Sequence, residues 1–170
     1  MQTRKVDVVE NFHGTWVADP YRWLENSRDP EVREWVDRQN ERTEEFLKTP
    51  ERRPAIKERL AELWDYPRTF LPRKAGSWYF YEHNSGLQNQ PVLYRKNGLD
   101  GEAEVVLDPN RWSEDGTVAM SGFSVDEGAR YLSYTVSVHG SDRQEIRIRD
   151  LEKGVELPDV IKWCRFTNMA

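Results

Sequence analysis

The spacing of apolar residues along the chain changes close to position 66. Before it, apolar side chains recur at intervals near 3.6 residues, and after it they alternate with polar ones. The first spacing indicates amphipathic helices and the second indicates half-buried strands. The sequence therefore predicts an α-then-β chain, with a helical segment over 1–66 and a β segment over 67–170.

Two helices are predicted in the helical segment, after a short turn that Asp19-Pro20 opens. Asp29 is a natural N-cap, because its carboxylate can accept a hydrogen bond from a free N–H, and Pro30 suits the first helical position. The second helix is predicted to begin at Pro54 and to end before Pro67. The two apolar stripes consist of Val32, Trp35, Val36, Phe46 and Leu47, and of Ile56, Leu60, Leu63 and Trp64.

The aromatic residues of this segment exceed what two short helices can bury between themselves. Four of the seven tryptophans lie here, Trp16, Trp23, Trp35 and Trp64. Each predicted helix has one narrow apolar face, so we expect that something outside the segment covers these rings.

The β segment is predicted to contain six strands joined by turns. Asn97-Gly98 is a strong hairpin signal, and Lys153-Gly154 marks another turn. Residues 109–116 are interpreted as a loop. The predicted strands are 77–83, 91–96, 103–108, 130–138, 145–150 and 155–157.

Two passages of this segment look like one repeated unit. Tyr79 and Tyr131 are 52 residues apart, and Tyr94 and Ile148 are 54 apart. A period of about 50 residues with several short strands is typical of β-propeller blades, although a plain meander or sandwich is the alternative. Because each blade buries its faces on its neighbours, two blades alone are expected to leave open faces.

Composition and charge narrow the classes of function. The chain has 170 residues, of which 37% are hydrophobic and 32% charged, and its net charge is -5. This acidic balance argues against non-specific nucleic-acid binding. No apolar run approaches the roughly 20 residues of a membrane span, and the first residues lack the apolar stretch of a secretory signal. We expect a cytoplasmic protein that binds neither nucleic acid nor membranes.

The sequence contains no recognisable catalytic constellation. It has no G-x-S-x-G motif, and none of its three histidines is spaced with another ligand as in metal sites. His139, Ser141 and Asp142 lie too close in sequence to converge on one substrate atom. Cys164 is the only cysteine, which excludes an internal disulfide. No catalytic residue, metal or cofactor is therefore expected.

Nine short segments, in order along the chain, carry a resemblance to a known family. The chain resembles the N-terminal part of the prolyl oligopeptidase family of serine peptidases, which cleave after proline. The most specific matches are GLQNQ at 86–90 and LDPN at 107–110, which DGTV at 115–118 follows. The other matching segments are 19–25, 39–40, 63–67, 92–94, 140–142 and 156–160.

The resemblance implies a fold and a division of labour. In that family a helical segment packs on an α/β-hydrolase catalytic domain, and a seven-bladed propeller covers the active site. Residues 67–157 would then form about two blades and 160–170 the start of a third. The catalytic Ser, Asp and His belong to the missing catalytic domain, so the chain is expected to be inactive alone. Short proline-containing peptides are the implied substrates of a complete relative.

Two residues match family positions that face the substrate. Phe166 matches a propeller phenylalanine that lines the substrate pocket, and Asp142 matches an aspartate that faces the cavity between the domains. The family commonly has Trp after that aspartate, whereas this chain has Arg143. Both residues are therefore predicted substrate contacts.

Two interpretations follow from the sequence. In the first, the chain is a fragment of a longer prolyl oligopeptidase. In the second, it is a stand-alone binding or interaction module without enzymatic activity, which completes itself by docking or oligomerising. The open blade faces and sheet edges motivate the second, because such edges favour pairing.

Overall fold

The computed structural model describes residues 3–165, 167 and 169. The chain divides into two compact units, one up to Glu58 and one from Arg59 onward. Within the described residues, two α-helices and three β-sheets are present. None of the helices in this part of the chain is long and apolar enough to cross a membrane.

The first unit opens with a β-hairpin rather than a helix. Strands β1 (Val9–Phe12) and β2 (Thr15–Ala18) pair antiparallel. His13 and Gly14 make the turn with φ of 53° and 93°. The expectation of a helical segment from the first residue is therefore wrong here, since these left-handed turn residues suit a hairpin.

The two predicted helices are confirmed, with α1 at Pro30–Lys48 and α2 at Arg53–Trp64. Asp29 caps α1, and its carboxylate accepts a hydrogen bond from the backbone N–H of Glu31 at 2.9 Å. A 3₁₀ turn at Arg22–Glu25 precedes them, where the turn was predicted. Only Val32 is buried along either helix.

The second unit contains two antiparallel sheets that follow each other along the chain. In the first, β5 is flanked by the short β3 and β4 on one side and by β6 and β7 on the other. In the second, neighbouring strands pair in chain order from β8 to β11. The first sheet's strands are β3 (Arg68–Thr69), β4 (Arg73–Ala75), β5 (Trp78–Asn84), β6 (Val92–Asn97) and β7 (Glu104–Leu107). The second sheet's strands are β8 (Val118–Val125), β9 (Tyr131–Val138), β10 (Gln144–Asp150) and β11 (Val155–Cys164).

Two features of the second sheet differ from the expectation. Strand β8 was not predicted, because Ser and Gly at 121–122 interrupt its apolar pattern. Strand β11 runs on from the predicted end at Leu157 to Cys164. It pairs with β10 as far as the partners Gln144 and Cys164, so residues 160–164 complete this sheet and do not begin another.

The two sheets repeat one strand arrangement. Tyr79 lies on β5, which pairs with β3 and β4 at the start of the first sheet. Tyr131 lies on β9, which pairs with β8 at the start of the second sheet. Tyr94 on β6 and Ile148 on β10 occupy the following strand. The internal repeat predicted from the sequence therefore corresponds to two successive antiparallel meanders.

The core of the second unit lies between these sheets. Phe80 and Leu93 from the first sheet and Leu132 from the second are fully buried. Burying side chains of this size contributes about 1.5–3 kcal/mol each. The buried apolar cluster comprises Ala75, Phe80, Leu93, Val106, Leu107, Phe123, Ala129, Leu132, Tyr134, Val136 and Leu151.

Candidate functional site

The predicted substrate contact Asp142 lies at the end of the β9–β10 hairpin. His139 and Gly140 have φ of 52° and 67°, and the N–H of Ser141 donates to the carbonyl of Val138 at 3.0 Å. Two consecutive left-handed residues are typical of the tight turns that match strand twist. The turn presents Asp142 and the residue after it to solvent.

The charges at this hairpin end contact the last described part of the chain. A carboxylate oxygen of Asp142 lies 3.6 Å from Nη2 of Arg165, and both side chains are exposed. The guanidinium of Arg143 lies 5.0 Å from the ring centroid of Trp163. Exposed ion pairs contribute about 0–1 kcal/mol, so this contact adds little to the stability of the fold.

An open concavity of about 630 Å³ is present in the second unit. Its wall combines the edge strand β8 with side chains from β4, β9 and β10. It is lined by Arg73, Ser121, Gly122, Phe123, Thr135, Gln144, Thr167 and Met169. Gln144, which lines the concavity, is the first residue of β10 and lies two residues after Asp142. The concavity is therefore close to the hairpin end along the chain.

Arg73 fixes one side of this concavity. Its Nη1 donates to the carbonyl of Phe123 at 2.7 Å, and its Cζ lies 4.8 Å from the centroid of the same residue's ring. Burial raises the pKa of Glu82, and the charge of Arg73 opposes that shift. The Arg73 guanidinium therefore connects the first sheet to the second, and its charge also favours the ionised form of the Glu82 carboxyl.

The side chains of His139, Ser141 and Asp142 do not form a catalytic triad. The Oγ of Ser141 accepts a hydrogen bond from the backbone N–H of Arg143 at 3.1 Å. Within residues 3–165, 167 and 169, no hydrogen bond joins the side chains of His139, Ser141 and Asp142. In the same range no cluster of three His, Cys, Asp or Glu residues is arranged to hold a metal ion.

The second predicted contact, Phe166, lies outside the described residues. Its described neighbours are Arg165, which contacts Asp142, and Thr167, which lines the concavity. The structure thus brings Asp142 together with the residue that precedes the other predicted position. Sequence reasoning missed Arg73 and Thr135 as lining residues, and no local pattern marks either of them.

The chain matches one family along its whole length. A family model described as "Prolyl oligopeptidase, N-terminal beta-propeller domain" matches residues 1–170. The prolyl endopeptidase of Elizabethkingia meningoseptica is 35% identical over 169 residues, which are 99% of this chain and 24% of that protein. The dual function macrocyclase-peptidase POPB of Amanita bisporigera is 33% identical, over 99% of this chain and 26% of that protein. The chain spans about a quarter of the length of these curated relatives.

Solved structures show the same relationship. A structure from work on two prolyl endopeptidases and the role of inter-domain dynamics in their catalysis and specificity matches with a TM-score of 0.81 and 32% identity. That match covers 95% of this chain and 24% of the other. Prolyl oligopeptidase B from Galerina marginata, bound to a 35mer hydrolysis and macrocyclization substrate, matches with a TM-score of 0.73 and 27% identity. It covers 99% of this chain and 27% of the other.

Proposed function

This chain belongs to the prolyl oligopeptidase family, and on that premise we propose that it is the N-terminal part of a serine endopeptidase that cleaves short peptides after proline. The observation that carries the proposal is the family match over residues 1–170, together with relatives that extend about four times as far. The chain supplies support and part of a gate, and the chemistry belongs to a catalytic domain outside it.

The parts of the chain take different roles in this proposal. Residues 1–66, which include the β1–β2 hairpin and both helices, support the catalytic domain, and the propeller starts at 67. The two antiparallel sheets, one of five strands and one of four, support two successive blades, which end with β11 at Cys164. A third blade then begins after Cys164 and not at Val160, because β11 pairs with β10 to its end.

The reaction requires groups that we assign to the catalytic domain. A serine attacks the carbonyl carbon of proline, a histidine takes the serine proton, an aspartate orients the histidine, and an oxyanion hole stabilises the tetrahedral intermediate. This chain contributes to substrate access, since a propeller excludes folded proteins and admits short peptides. Asp142 and Phe166 are proposed to face the bound peptide, with Asp142 held by Arg165 at 3.6 Å.

Two proteins, assayed side by side, test this function. The purified chain alone is assayed on a chromogenic peptide that ends in proline before the reporter group. In parallel, residues 1–170 replace the matching quarter of the Elizabethkingia meningoseptica enzyme. We expect no turnover by the chain alone and proline-dependent turnover by the chimera.

Two results would contradict the proposal. Turnover by the chain alone that a serine-directed inhibitor abolishes would place a nucleophile within it. A folded chimera that binds no peptide and hydrolyses none would favour the stand-alone interaction module. Size-exclusion chromatography of the chain alone also distinguishes the peptidase fragment from the stand-alone module, because a module that completes itself by pairing elutes as a defined oligomer.

A further inference from the structure

One residue of β11 departs from the geometry of a strand. Trp163 has φ of 65°, in the left-handed region, although it lies inside β11. For a bulky L-residue this conformation is strained, because its Cβ comes close to the following carbonyl oxygen. Residues of this kind persist only where the surrounding structure holds them, and they cluster at functional sites. Trp163 therefore needs contacts that hold it.

The pairing of β10 with β11 shows what this left-handed residue does. The pairs on either side of it are Ile146 with Ile161 and Gln144 with Cys164. Lys162 and Trp163 therefore lie opposite the single residue Glu145, which is the arrangement of a β-bulge. One common type of bulge contains a glycine in the left-handed conformation, whereas here a tryptophan adopts it.

The bulge decides which side chain lies beside Gln144. Gln144 lines the concavity of the candidate site, and its partner on β11 is Cys164. Without the extra residue, the register of the preceding pairs would make Trp163 the partner of Gln144. Paired residues of antiparallel strands carry their side chains on the same face of the sheet. The bulge thus places a small thiol beside this part of the wall and keeps the indole away from it.

The displaced indole contacts Arg143, the residue before Gln144. The Cζ of Arg143 lies 5.0 Å from the ring centroid of Trp163. The backbone N–H of Arg143 donates to Oγ of Ser141 at 3.1 Å, and the Oγ of Ser137 donates to the carbonyl of Ser141 at 2.8 Å. The backbone at Arg143 is thus tied through the hairpin to β9. A guanidinium over an indole ring is an attractive contact, so Arg143 holds the ring in its displaced position.

We propose that Arg143 and Trp163 are positioning residues of the candidate site. The stacked pair stabilises the β-bulge, and the bulge keeps the indole out of the concavity beside Gln144. The importance of this arrangement for peptide binding rests on the proposed function, whereas the register of β11 can be measured in the chain alone.

A disulfide cross-link measures this register. Cys164 is the only cysteine, so Gln144→Cys allows one intramolecular disulfide, between two register partners. Paired residues have Cα atoms about 4.5–5.5 Å apart, which suits a disulfide. The full chain is equilibrated with reduced and oxidised glutathione, and mass spectrometry of the bonded fraction gives the effective concentration of the two thiols. Glu145→Cys is the matched control, because successive side chains of a strand point to opposite faces. We expect an effective concentration about tenfold higher for Gln144→Cys or more.

A double-mutant cycle in the Gln144→Cys chain tests the stacked pair. Arg143→Met should lower the effective concentration about two- to fivefold, the factor expected for a cation–π contact at an exposed site. Arg147→Met should leave it unchanged, since Arg147 makes an exposed ion pair with Glu145 at 3.2 Å. In a chain that also carries Trp163→Gly, Arg143→Met should have no effect, because glycine adopts the left-handed conformation without help.

Two results would overturn the proposal. Equal effective concentrations for Gln144→Cys and Glu145→Cys would mean that the bulge does not set this register. An effective concentration that Arg143→Met leaves unchanged, or lowers equally with and without Trp163→Gly, would mean that the stacked pair does not hold the bulge. Trp163 is 70% exposed and Arg143 is exposed, so these variants keep the core intact. A chimera without turnover would contradict the proposed function and would not alter these concentrations.

Discussion

The two units of the chain use apolar residues in opposite ways. In the second unit, Phe80, Leu93 and Leu132 are fully buried between two sheets. In the described part of the first unit, Val32 is the only buried apolar side chain, while Phe46 and Trp16 are 73% and 70% exposed. The sheets therefore have a core of their own, whereas the helices have an apolar stripe without a comparable core. A helical period shows which face is apolar, but it does not show what covers that face.

The largest contrast between the units is expected from truncating one phenylalanine in each. Phe80→Ala leaves a cavity in the packed core and should lower the free energy of unfolding by about 3–5 kcal/mol. Phe46→Ala removes an exposed ring from α1 and should change it by less than about 0.5 kcal/mol. Urea unfolding of the full chain measures both. Equal losses would mean that the stripe on α1 packs on a core as well.

A smaller effect is expected from the contact that joins the two sheets. Arg73→Met removes the hydrogen bond to the Phe123 carbonyl and the stacking on its ring, and should cost about 1–2 kcal/mol. Lys74→Met is the matched control, because its ammonium lies 5.9 Å from the Tyr79 ring and makes only a weak contact. Urea unfolding that ranks the two variants equally would show that the sheets do not depend on Arg73.

A pH-dependent effect is expected from Asp150, which is buried at the end of β10. Its carboxylate accepts hydrogen bonds from the N–H groups of Lys153 and Glu152, both at 3.0 Å. These bonds hold the pKa of Asp150 below its ordinary value, and the bond from the N–H of Lys153 is the larger cause. Because the folded pKa is depressed, its stabilisation is complete above the unfolded pKa of about 3.9 and is lost as pH falls through the folded pKa.

The measurement for Asp150 is the melting temperature of the chain and of Asp150→Asn across the acidic range. Asparagine keeps an acceptor oxygen but carries no titrating proton. The melting temperature of the parent chain should exceed that of Asp150→Asn by a constant amount above about pH 5, and this difference should shrink below about pH 4. A gap that stays constant down to the lowest pH would mean that Asp150 does not titrate between the folded and unfolded states.

The smallest effect on stability is expected at the candidate site. Asp142→Asn breaks an exposed ion pair with Arg165 and should change the free energy of unfolding by less than about 0.5 kcal/mol. The same substitution in the chimera should raise KM for a proline-containing peptide, if Asp142 faces the substrate. A chimera with unchanged KM would remove Asp142 from the site, and a large loss of stability would make it a structural residue.

Local rules predicted a substantial part of this fold. Asp29 and Pro30 indicate the start of α1 in the sequence, and the Asp29 carboxylate caps that helix as expected. Alternating polarity located β5, β6, β9 and β10. In β5 and β10 one face of the strand is more buried than the other. The hairpin at β1 and β2 was missed, since His13 supplies a left-handed residue that a search for Asn-Gly turns does not detect.

Contacts between distant residues had no signal in the sequence. Arg73 and Phe123 are 50 residues apart, and Gln90 and Asn110 are 20 apart. Neither pair belongs to a periodic pattern, so only the packed sheets reveal them. The resemblance pointed to Asp142, but its partner Arg165 emerged only when β11 was found to return alongside β10.

In the proposed function, this chain supports and gates a peptidase without holding its nucleophile. A serine-reactive fluorophosphonate probe tests it most directly, with the prolyl endopeptidase of Elizabethkingia meningoseptica as the positive control. We expect stoichiometric labelling of that enzyme and no labelling of the folded 170-residue chain. Stoichiometric labelling of one serine within this chain would contradict it.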